Sequence, residues 1–402
     1  MDERVLAVCV LVVVIGGLAT VSAATDESGV GALQVEDGRT GVAAPGADLG
    51  TAAYGDADSL RSELAVASLE TRLDRAESDD QRQAAVRSAA DRLEMRLATS
   101  RSERRAAGEE FENGSRSADS FALALARVDG DARRHLAERR AIRSAVDERP
   151  TVSLSNGLES TISERSGIDG EALALQGENR QRLRRAAVTG DRQPVVLTVS
   201  DHGVATRAVT DETYYRDVTR WDRQNPDGEN VFRDADGGPV SAAYDRAKSE
   251  YYTTVYEMAI TSGTNNPSIL TYGGSIYRVT FPYDGGRVRA FIDGNTTDPF
   301  RELQRQSIET LDPQQRATHT GDGLEVAVNA TAPGGPLSIE VTDDGPVDAR
   351  VEMDNRTVGR TGPDGRLWTV DPGVETPVTI RASDNRTVAF EVEATAPTTT
   401  ES

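Results

Sequence analysis

The sequence has almost no cysteine: Cys9 is the only one among 402 residues. Cys9 lies inside an apolar run near the N-terminus and lacks the small-residue context of a lipid-modified cysteine. We therefore predict that it is simply an apolar residue of a leader segment. If the leader is removed, the mature chain has no thiol, which excludes disulfides, thiolate nucleophiles and cysteine-ligated metal sites.

Lysine and aromatic residues are also scarce. Lys248 is the only lysine among 45 lysines and arginines, which leaves 44 arginines against 66 acidic residues and a net charge of -21. At about 1 M salt the Debye length is roughly 3 Å, so repulsion among so many carboxylates is largely screened. This composition resembles that of proteins from extremely halophilic archaea; an acidic surface on a non-halophilic protein is the alternative. No basic face for phosphates is evident, which argues against a nucleic-acid partner.

Histidines are few and scattered. His135 lies in a predicted helical region, His202 in a predicted hairpin turn and His319 in a predicted linker. No two of them have the spacing of metal ligands or of an acid–base pair, so we predict that each is a solvated surface residue. Nucleophile-elbow, phosphate-loop and dinucleotide motifs are missing from the sequence. We therefore predict a protein that is not an enzyme and has no cofactor and no metal site.

Residues 1–24 have the pattern of a signal peptide. Val5 to Ala19 is apolar, and Val21 to Ala23 has the small-x-small pattern of a cleavage site. The first residues carry little positive charge, and the segment is long enough to span a bilayer. An uncleaved N-terminal membrane anchor is therefore the alternative. Either reading predicts an extracellular or cell-surface location.

Five N-glycosylation sequons support export. Four of the five lie after residue 290, in segments that read as exposed turns or strand edges. The predicted glycosylation sites are Asn113, Asn295, Asn329, Asn355 and Asn385.

The N-terminal half is predicted to be helical. Residues 25–57 are rich in Gly, Ala and Asp without apolar periodicity, which predicts a flexible linker. In residues 58–190, apolar residues such as Leu60 and Leu64 recur at spacings of three and four, which predicts a coiled-coil-like region. Over 58–149 we expect three or four helices in a long antiparallel hairpin or small bundle, and a further helix over 171–188. Oligomerisation through this region is left open.

Residues 191–311 are predicted to form an α+β domain. Alternating strands at 195–199 and 204–209 read as one hairpin, and helices are expected at 211–221 and 240–261. A second hairpin follows between Ser275 and Phe300. It is similar to the strand–turn–strand repeat of PepSY-type domains, although the usual Thr-Gly pair of the turn is missing. This resemblance implies an accessory or inhibitory module and transfers no catalytic residue.

Seven aromatic residues of this domain form the densest aromatic group of the chain. We predict that they build the domain core, with a carbohydrate- or peptide-facing patch as the alternative. They are Tyr214, Tyr215, Trp221, Tyr244, Tyr251, Tyr252 and Tyr256.

Residues 323–394, after a predicted linker at 312–322, contain only strand patterns. Seven short strands at turn spacings of 8 to 12 residues predict a β-sandwich. The stretch from Gly345 to Trp368 resembles the carboxypeptidase-regulatory-like, transthyretin-like sandwich. That resemblance implies a scaffold without an active site of its own. Residues 395–402 are predicted to be a Thr-rich tail.

The whole chain therefore predicts a multidomain α+β protein: a helical bundle, an α+β middle domain with antiparallel hairpins, and an all-β sandwich. As function we expect an exported, non-enzymatic cell-surface scaffold or binding protein. Its partners would be cell-envelope components or an exported protein, with membrane contact only through an uncleaved N-terminal segment. The alternative is an accessory module that binds and inhibits an exported hydrolase.

Overall fold

The computed structural model describes residues 33–35, 38–210, 212–251 and 267–394. It has a helical N-terminal region, a central antiparallel sheet and a C-terminal all-β unit, which confirms the predicted multidomain α+β class. The predicted signal peptide at 1–24 and the tail at 395–402 lie outside the described residues. Among those described, no helix combines the length and apolarity needed to span a membrane.

Six helices form the helical region. Three are long and three are short; in chain order they are α1 (Leu49–Arg75), α2 (Asp79–Glu112), α3 (Ala118–Asp147), α4 (Asn156–Ile162), α5 (Gly167–Leu175) and α6 (Glu178–Thr189). Side-chain caps fix where they begin: Asp48 accepts from the Thr51 amide at 2.6 Å and Ser78 from the Gln81 amide at 3.3 Å. Helix α3 is central, packing against α1, α2, α5 and α6.

The chain differs from the sequence prediction at two places in this region. Part of the predicted linker is strand β1 (Arg39–Ala43), and helix α1 begins at Leu49. The polar, small residues hid β1 because its pairing with a strand far along the chain has no local signature. The helix expected over 171–188 is broken at Gly177 into α5 and α6.

The central sheet has eight antiparallel strands in the order β1-β2-β3-β4-β8-β7-β6-β5. Its remaining members are β2 (Val195–Ser200), β3 (Gly203–Thr210), β4 (Thr213–Arg220), β5 (Ser268–Tyr272), β6 (Ile276–Tyr283), β7 (Gly286–Asp293) and β8 (Pro299–Ser307). Both predicted hairpins are present, as β2–β3 and β6–β7. The helix expected at 211–221 is wrong, because the β-branched and aromatic residues there form β4, paired on both sides.

Each face of this sheet is covered. Helices α2, α3 and α6 cover one face, where Gly108 allows α2 to approach Trp221: a Cβ at Gly108 would lie 3.0 Å from the indole. Helix α7 (Pro239–Tyr251) covers part of the opposite face with Ala243, Ala247 and Tyr251. The rest of the predicted 240–261 helix lies outside the described residues.

The C-terminal unit is a sandwich of two four-stranded sheets, ordered β14-β11-β10-β9 and β13-β12-β15-β16. The strands are β9 (Gln314–Gly321), β10 (Leu324–Ala330), β11 (Pro336–Thr342), β12 (Ala349–Met353), β13 (Arg356–Arg360), β14 (Arg366–Val370), β15 (Thr376–Ala382) and β16 (Thr387–Val392). The seven predicted strands are β10 to β16. The expected linker at 312–322 instead contributes the eighth strand, β9.

The sandwich packs on the central sheet rather than standing apart from it. Val42, Val196 and Tyr214 of the central sheet share one apolar cluster with the sandwich core. The Tyr214 hydroxyl donates to the Gly334 carbonyl at 3.4 Å, and Arg356 of β13 pairs with Asp119 of α3.

Candidate functional site

A cleft opens between the helical layer and the central sheet. It has a volume of about 190 Å³ and is lined from α3, from the segment between α5 and α6, and from β4, β7 and β8. Four arginines line it: Arg133, Arg287, Arg289 and Arg305. We call this the arginine cleft. Its other polar lining includes Gln176, Gln181, Glu178 and Asp217, and its apolar lining is Leu173, Phe291 and Leu303.

Strand alternation and register bring three of the arginines together. Successive side chains of a strand point to opposite faces, so Arg287, Arg289 and Phe291 share the face toward the helices. Arg287 is the register partner of Arg305, and Arg289 that of Leu303. Two like charges directly opposite each other on neighbouring strands are destabilising. The sheet therefore carries an unfavourable pair at this position.

The sheet arginines of the cleft are not neutralised by acids. Among the ion pairs of the described residues, Arg287, Arg289 and Arg305 have no carboxylate partner, whereas Arg133 pairs with Asp129 at 2.8 Å. Burial, with further contributions from Arg278 and Arg287, lowers the pKa of Arg289. Arg305 lies against the Tyr215 ring, 5.9 Å from its centroid. The cleft thus has a positive lining in a strongly acidic chain.

Below the cleft lies a buried charged floor, formed by Arg180, Asp217 and Arg301. Both guanidinium groups are fully buried and Asp217 is 1% exposed. Arg301 donates to the carbonyls of Val218 at 3.0 Å and Gln176 at 2.8 Å. The floor therefore ties β8 to β4 and to the segment before α6.

Electrostatics of the floor are dominated by burial. Burial raises the pKa of Asp217, while Arg301 and Arg180 oppose that rise. Burial, helped by Arg180, lowers the pKa of Arg301 to about 9. Arg301 lies 3.6 Å from Asp217, and neither Asp217 oxygen has a hydrogen-bond partner among the described residues. Such a partly satisfied buried ion pair lowers the stability of the fold, because the desolvation cost of the charges is not fully offset.

Gly177 lies in close contact with two residues of the floor, Asp217 and Arg301. A Cβ at Gly177 would lie 2.1 Å from Asp217 Oδ2 and 2.8 Å from Arg301 Nη2. The Gly177 amide donates to Asp129 Oδ1 at 3.1 Å. Only glycine fits between the α5–α6 connection and the sheet at this point.

A second buried ionic cluster lies between α1 and α3, formed by Asp58, Asp131, Arg134 and His135. Arg134 donates to Asp58 at 2.6 Å and also pairs with Asp131. Burial lowers the pKa of His135 to about 4, an effect that Asp58 opposes. Burial raises the pKa of Asp131 to about 6, an effect that Arg134 opposes.

The prediction that all three histidines are solvated is wrong for His135, which is 3% exposed. It lies on the inward face of α3, which the polar residue type did not reveal. His202 is exposed in the β2–β3 turn, 3.2 Å from Asp201. His319 lies in β9 and stacks on Phe390, with ring centroids 4.0 Å apart. The fold does not bring the three together, and in the described part of the chain no acidic, His or Cys group has the arrangement of a metal site.

The predicted aromatic group does not form one patch. Tyr214 packs in the sandwich cluster, Trp221 against the helices, and Tyr251, at the end of α7, in the cluster between α7 and the sheet. Tyr215 lies beneath Arg182, whose guanidinium is 4.3 Å from the ring centroid. Tyr244 is half-buried beside the α7 cluster, while Tyr252 and Tyr256 lie outside the described residues. Several are therefore core residues, but of three separate cores.

Three of the five sequon asparagines are exposed. Asn113 is the C-cap of α2, and Asn355 and Asn385 lie in the hairpin turns of β12–β13 and β15–β16 with positive φ. Asparagine tolerates this left-handed conformation better than most residues.

The other two sequon asparagines are half-buried and hydrogen-bonded. Asn295 donates to the Asn225 carbonyl at 2.6 Å, and the Asn329 amide is 3.5 Å from Glu340. A glycan on either side-chain nitrogen would have to replace these contacts.

The arginine cleft was not found from the sequence. Arg287 and Arg289 sit at alternate positions of a strand pattern, which placed them on one face without saying which face or what covers it. Arg133 lies far away in the chain, and Arg305 lies in the next strand, whose register with β7 the sequence did not give. The signal in the sequence is that β7 has two arginines at alternate positions and no acidic residue before Asp293.

The boundaries of the family matches follow the boundaries between the helical region, the central sheet and the sandwich. Residues 8–193 match a domain of unknown function (DUF7096), and residues 195–312 match a family of unknown function (DUF7094). No curated protein and no solved structure matches the chain. The arginine cleft lies between these two matched segments, and β1 of the first segment pairs with β2 of the second.

The third match covers the sandwich. Residues 315–389 match the model of an archaeal fibronectin-III type-like domain, in place of the carboxypeptidase-regulatory-like domain to which we noted a resemblance. The two-sheet sandwich over the same residues agrees with that match. The C-terminal part of the chain is thus similar to archaeal fibronectin-III type-like domains.

Proposed function

We propose that the chain is a non-enzymatic, exported cell-surface scaffold and binding protein of a halophilic archaeon. The observation that carries the proposal is the position of Asn355 and Asn385. Both sequons occupy exposed hairpin turns on one sheet of a domain similar to an archaeal fibronectin-III type-like domain. Glycan acceptors at the turns of a β-sandwich are suited to an extracellular surface.

The charge and the packing support the same proposal. A net charge of -21 with a single lysine suits a high-salt medium. The sandwich packs against the central sheet through Val42, Val196 and Tyr214, so it would hold the rest of the molecule at a fixed orientation. The arginine cleft would be the binding site that this scaffold presents.

Fractionation of a native haloarchaeal host, followed by mass spectrometry, tests the proposal. We expect the protein in the medium or on the cell surface, beginning after Ala23 or Ala24 if the leader is cleaved. Glycopeptides should include Asn355 or Asn385. Recovery from the cytosol with Met1 or Asp2 at the N-terminus and no glycan would refute the proposal.

The earlier resemblance of β6–β7 to PepSY-type modules leaves the inhibitor function as the second candidate. A pull-down from the medium in high salt separates the two. Stoichiometric recovery of an exported hydrolase would favour the inhibitor, and recovery of envelope components would favour the scaffold.

A further inference from the structure

We infer that the arginine cleft binds an acidic sugar, whose acid group lies between Arg287, Arg289 and Arg305. This inference deepens the proposed function. It rests on that function, because the location outside the cell decides which ligands the protein can meet. It is carried by the unpaired arginines, by the charge beneath them and by the mixed chemistry of the lining.

The first observation is the directly opposed pair Arg287 and Arg305. The chain has 66 acidic residues, yet neither arginine has a carboxylate partner among the described residues. Opposed like charges cost stability unless an anion bridges them. An arrangement of side chains that costs stability without a structural gain is expected at a functional site.

The second observation is the net positive charge under the cleft. Arg180 and Arg301 are fully buried, with Asp217 and Asp129 as nearby acids, and the buried Arg104 adds a further positive charge. Glu178 of the lining is a third acid close to this group, so the arginines of the cleft and floor still outnumber the acids. A buried excess of guanidinium groups is poorly screened by solvent and attracts an anion to the surface above it.

The third observation identifies the ligand as organic. Half-buried Leu173 and Leu303 provide apolar surface, and Gln176 and Gln181 provide amide groups beside the arginines. The Gln176 amino nitrogen has no hydrogen-bond partner in the described residues. Guanidinium groups bind carboxylates and sulfate or phosphate esters in bidentate fashion, and amides bind hydroxyls. An inorganic ion would use the arginines but neither the leucines nor the amides.

A second hollow shares the same two arginines. It has a volume of about 260 Å³, is more open, and is lined by Arg287, Arg305, Thr213 and Ser307 with Gly285 and Gly286. The acid group would therefore sit where the cleft and this hollow meet. The hollow leaves room for a neighbouring sugar, so the ligand would be an acidic residue within a glycan.

Calorimetry with the full exported chain in about 2 M KCl tests the inference, because long-range attraction is screened there and only direct contacts register. The probes are glucuronate, glucose 6-sulfate, glucose and potassium sulfate. We expect glucuronate or glucose 6-sulfate to bind at least tenfold more tightly than glucose and than sulfate. The tighter of the two identifies the acid group as a carboxylate or a sulfate ester.

Substitutions of the cleft arginines test whether these side chains bind the acidic sugar. R287Q/R289Q and, separately, R305Q should weaken binding of the acidic sugar at least tenfold. The matched control R233Q removes an exposed arginine far from the cleft and should leave binding unchanged. R287Q/R289Q should melt no lower than the parent protein, because it removes like-charge repulsion; this separates lost binding from lost folding.

Three results would overturn the inference: no binding of either acidic sugar, sulfate bound as tightly as the sugars, or unchanged binding by R287Q/R289Q. The proposed function fails on different data. An exported protein that ignores acidic sugars would refute the ligand alone, and a cytosolic protein that binds them would refute the location alone.

Discussion

Gly177 shows how one small residue fixes the geometry beneath the arginine cleft. Replacement by alanine would put a methyl group 2.1 Å from Asp217 Oδ2, where real Cβ atoms are not found. We expect Gly177→Ala to lower the free energy of unfolding by about 1–3 kcal/mol, the usual cost of overpacking. Urea unfolding of both proteins in high salt measures this difference in the free energy of unfolding.

Gly157→Ala is the matched control for that substitution. A Cβ at Gly157 meets nothing within 4 Å, and the residue lies in helix α4. Alanine there should be neutral or should stabilise by about 0.5–1 kcal/mol. An equal loss in both variants would show that the contact with Asp217 is not the cause.

His135 and Asp131 should respond to acid in opposite directions. The pKa of His135 is lowered to about 4, so between pH 6.5 and 4 the unfolded chain binds more protons and acidification destabilises the fold. The pKa of Asp131 is raised to about 6, so between pH 6 and 3.8 the folded state binds more protons and acidification stabilises it. The two contributions largely cancel in the parent protein.

Variants should separate the two contributions. Relative to the parent, His135→Gln should gain stability as pH falls from 6.5 to 4, and Asp131→Asn should lose it as pH falls from 6 to 4. Because one pKa unit is about 1.4 kcal/mol, each difference should approach roughly 3 kcal/mol. Denaturant unfolding at several pH values measures both; parallel pH profiles of the two variants would contradict the assignment.

At the scale of elements, Arg301 links three of them. Its guanidinium contacts β4 at Val218 and Thr219 and the α5–α6 connection at Gln176. We expect Arg301→Met to cost about 3–5 kcal/mol, because it strands the buried Asp217 carboxylate. Adding Asp217→Asn should recover part of that loss. If the double variant is as unstable as the sum of the two single variants, the two residues are not coupled.

The long helices and most strands followed from sequence pattern, but strands β1, β4, β5, β8 and β9 did not. Strand β4 has the Tyr, Thr and Val content of a strand, yet its polar residues suggested a helix before its partners β3 and β8 were known. Strand β1 lies in a stretch of small residues, and only its pairing with β2 makes it a strand. Pairing between segments far apart in sequence leaves no local periodicity to read.

At the scale of the whole molecule, net charge should govern stability. With a charge of -21, lowering the salt from about 2 M to about 0.1 M lengthens the Debye length to roughly 10 Å and restores repulsion between carboxylates. We expect the temperature of the thermal unfolding transition, measured by circular dichroism, to fall by several degrees. An unchanged transition would contradict halophilic adaptation; sucrose in place of salt is the control for general solvent effects.

The sequence by itself determined the class of the molecule, because composition, apolar period and turn residues are local properties. Helices over 58–190, two hairpins and seven sandwich strands could be read in this way. Only the tertiary structure decided that Arg133, Arg287, Arg289 and Arg305 meet in one cleft above Arg180, Asp217 and Arg301. Register and layer packing join residues more than a hundred positions apart, and long-range contacts of this kind leave no trace in local sequence.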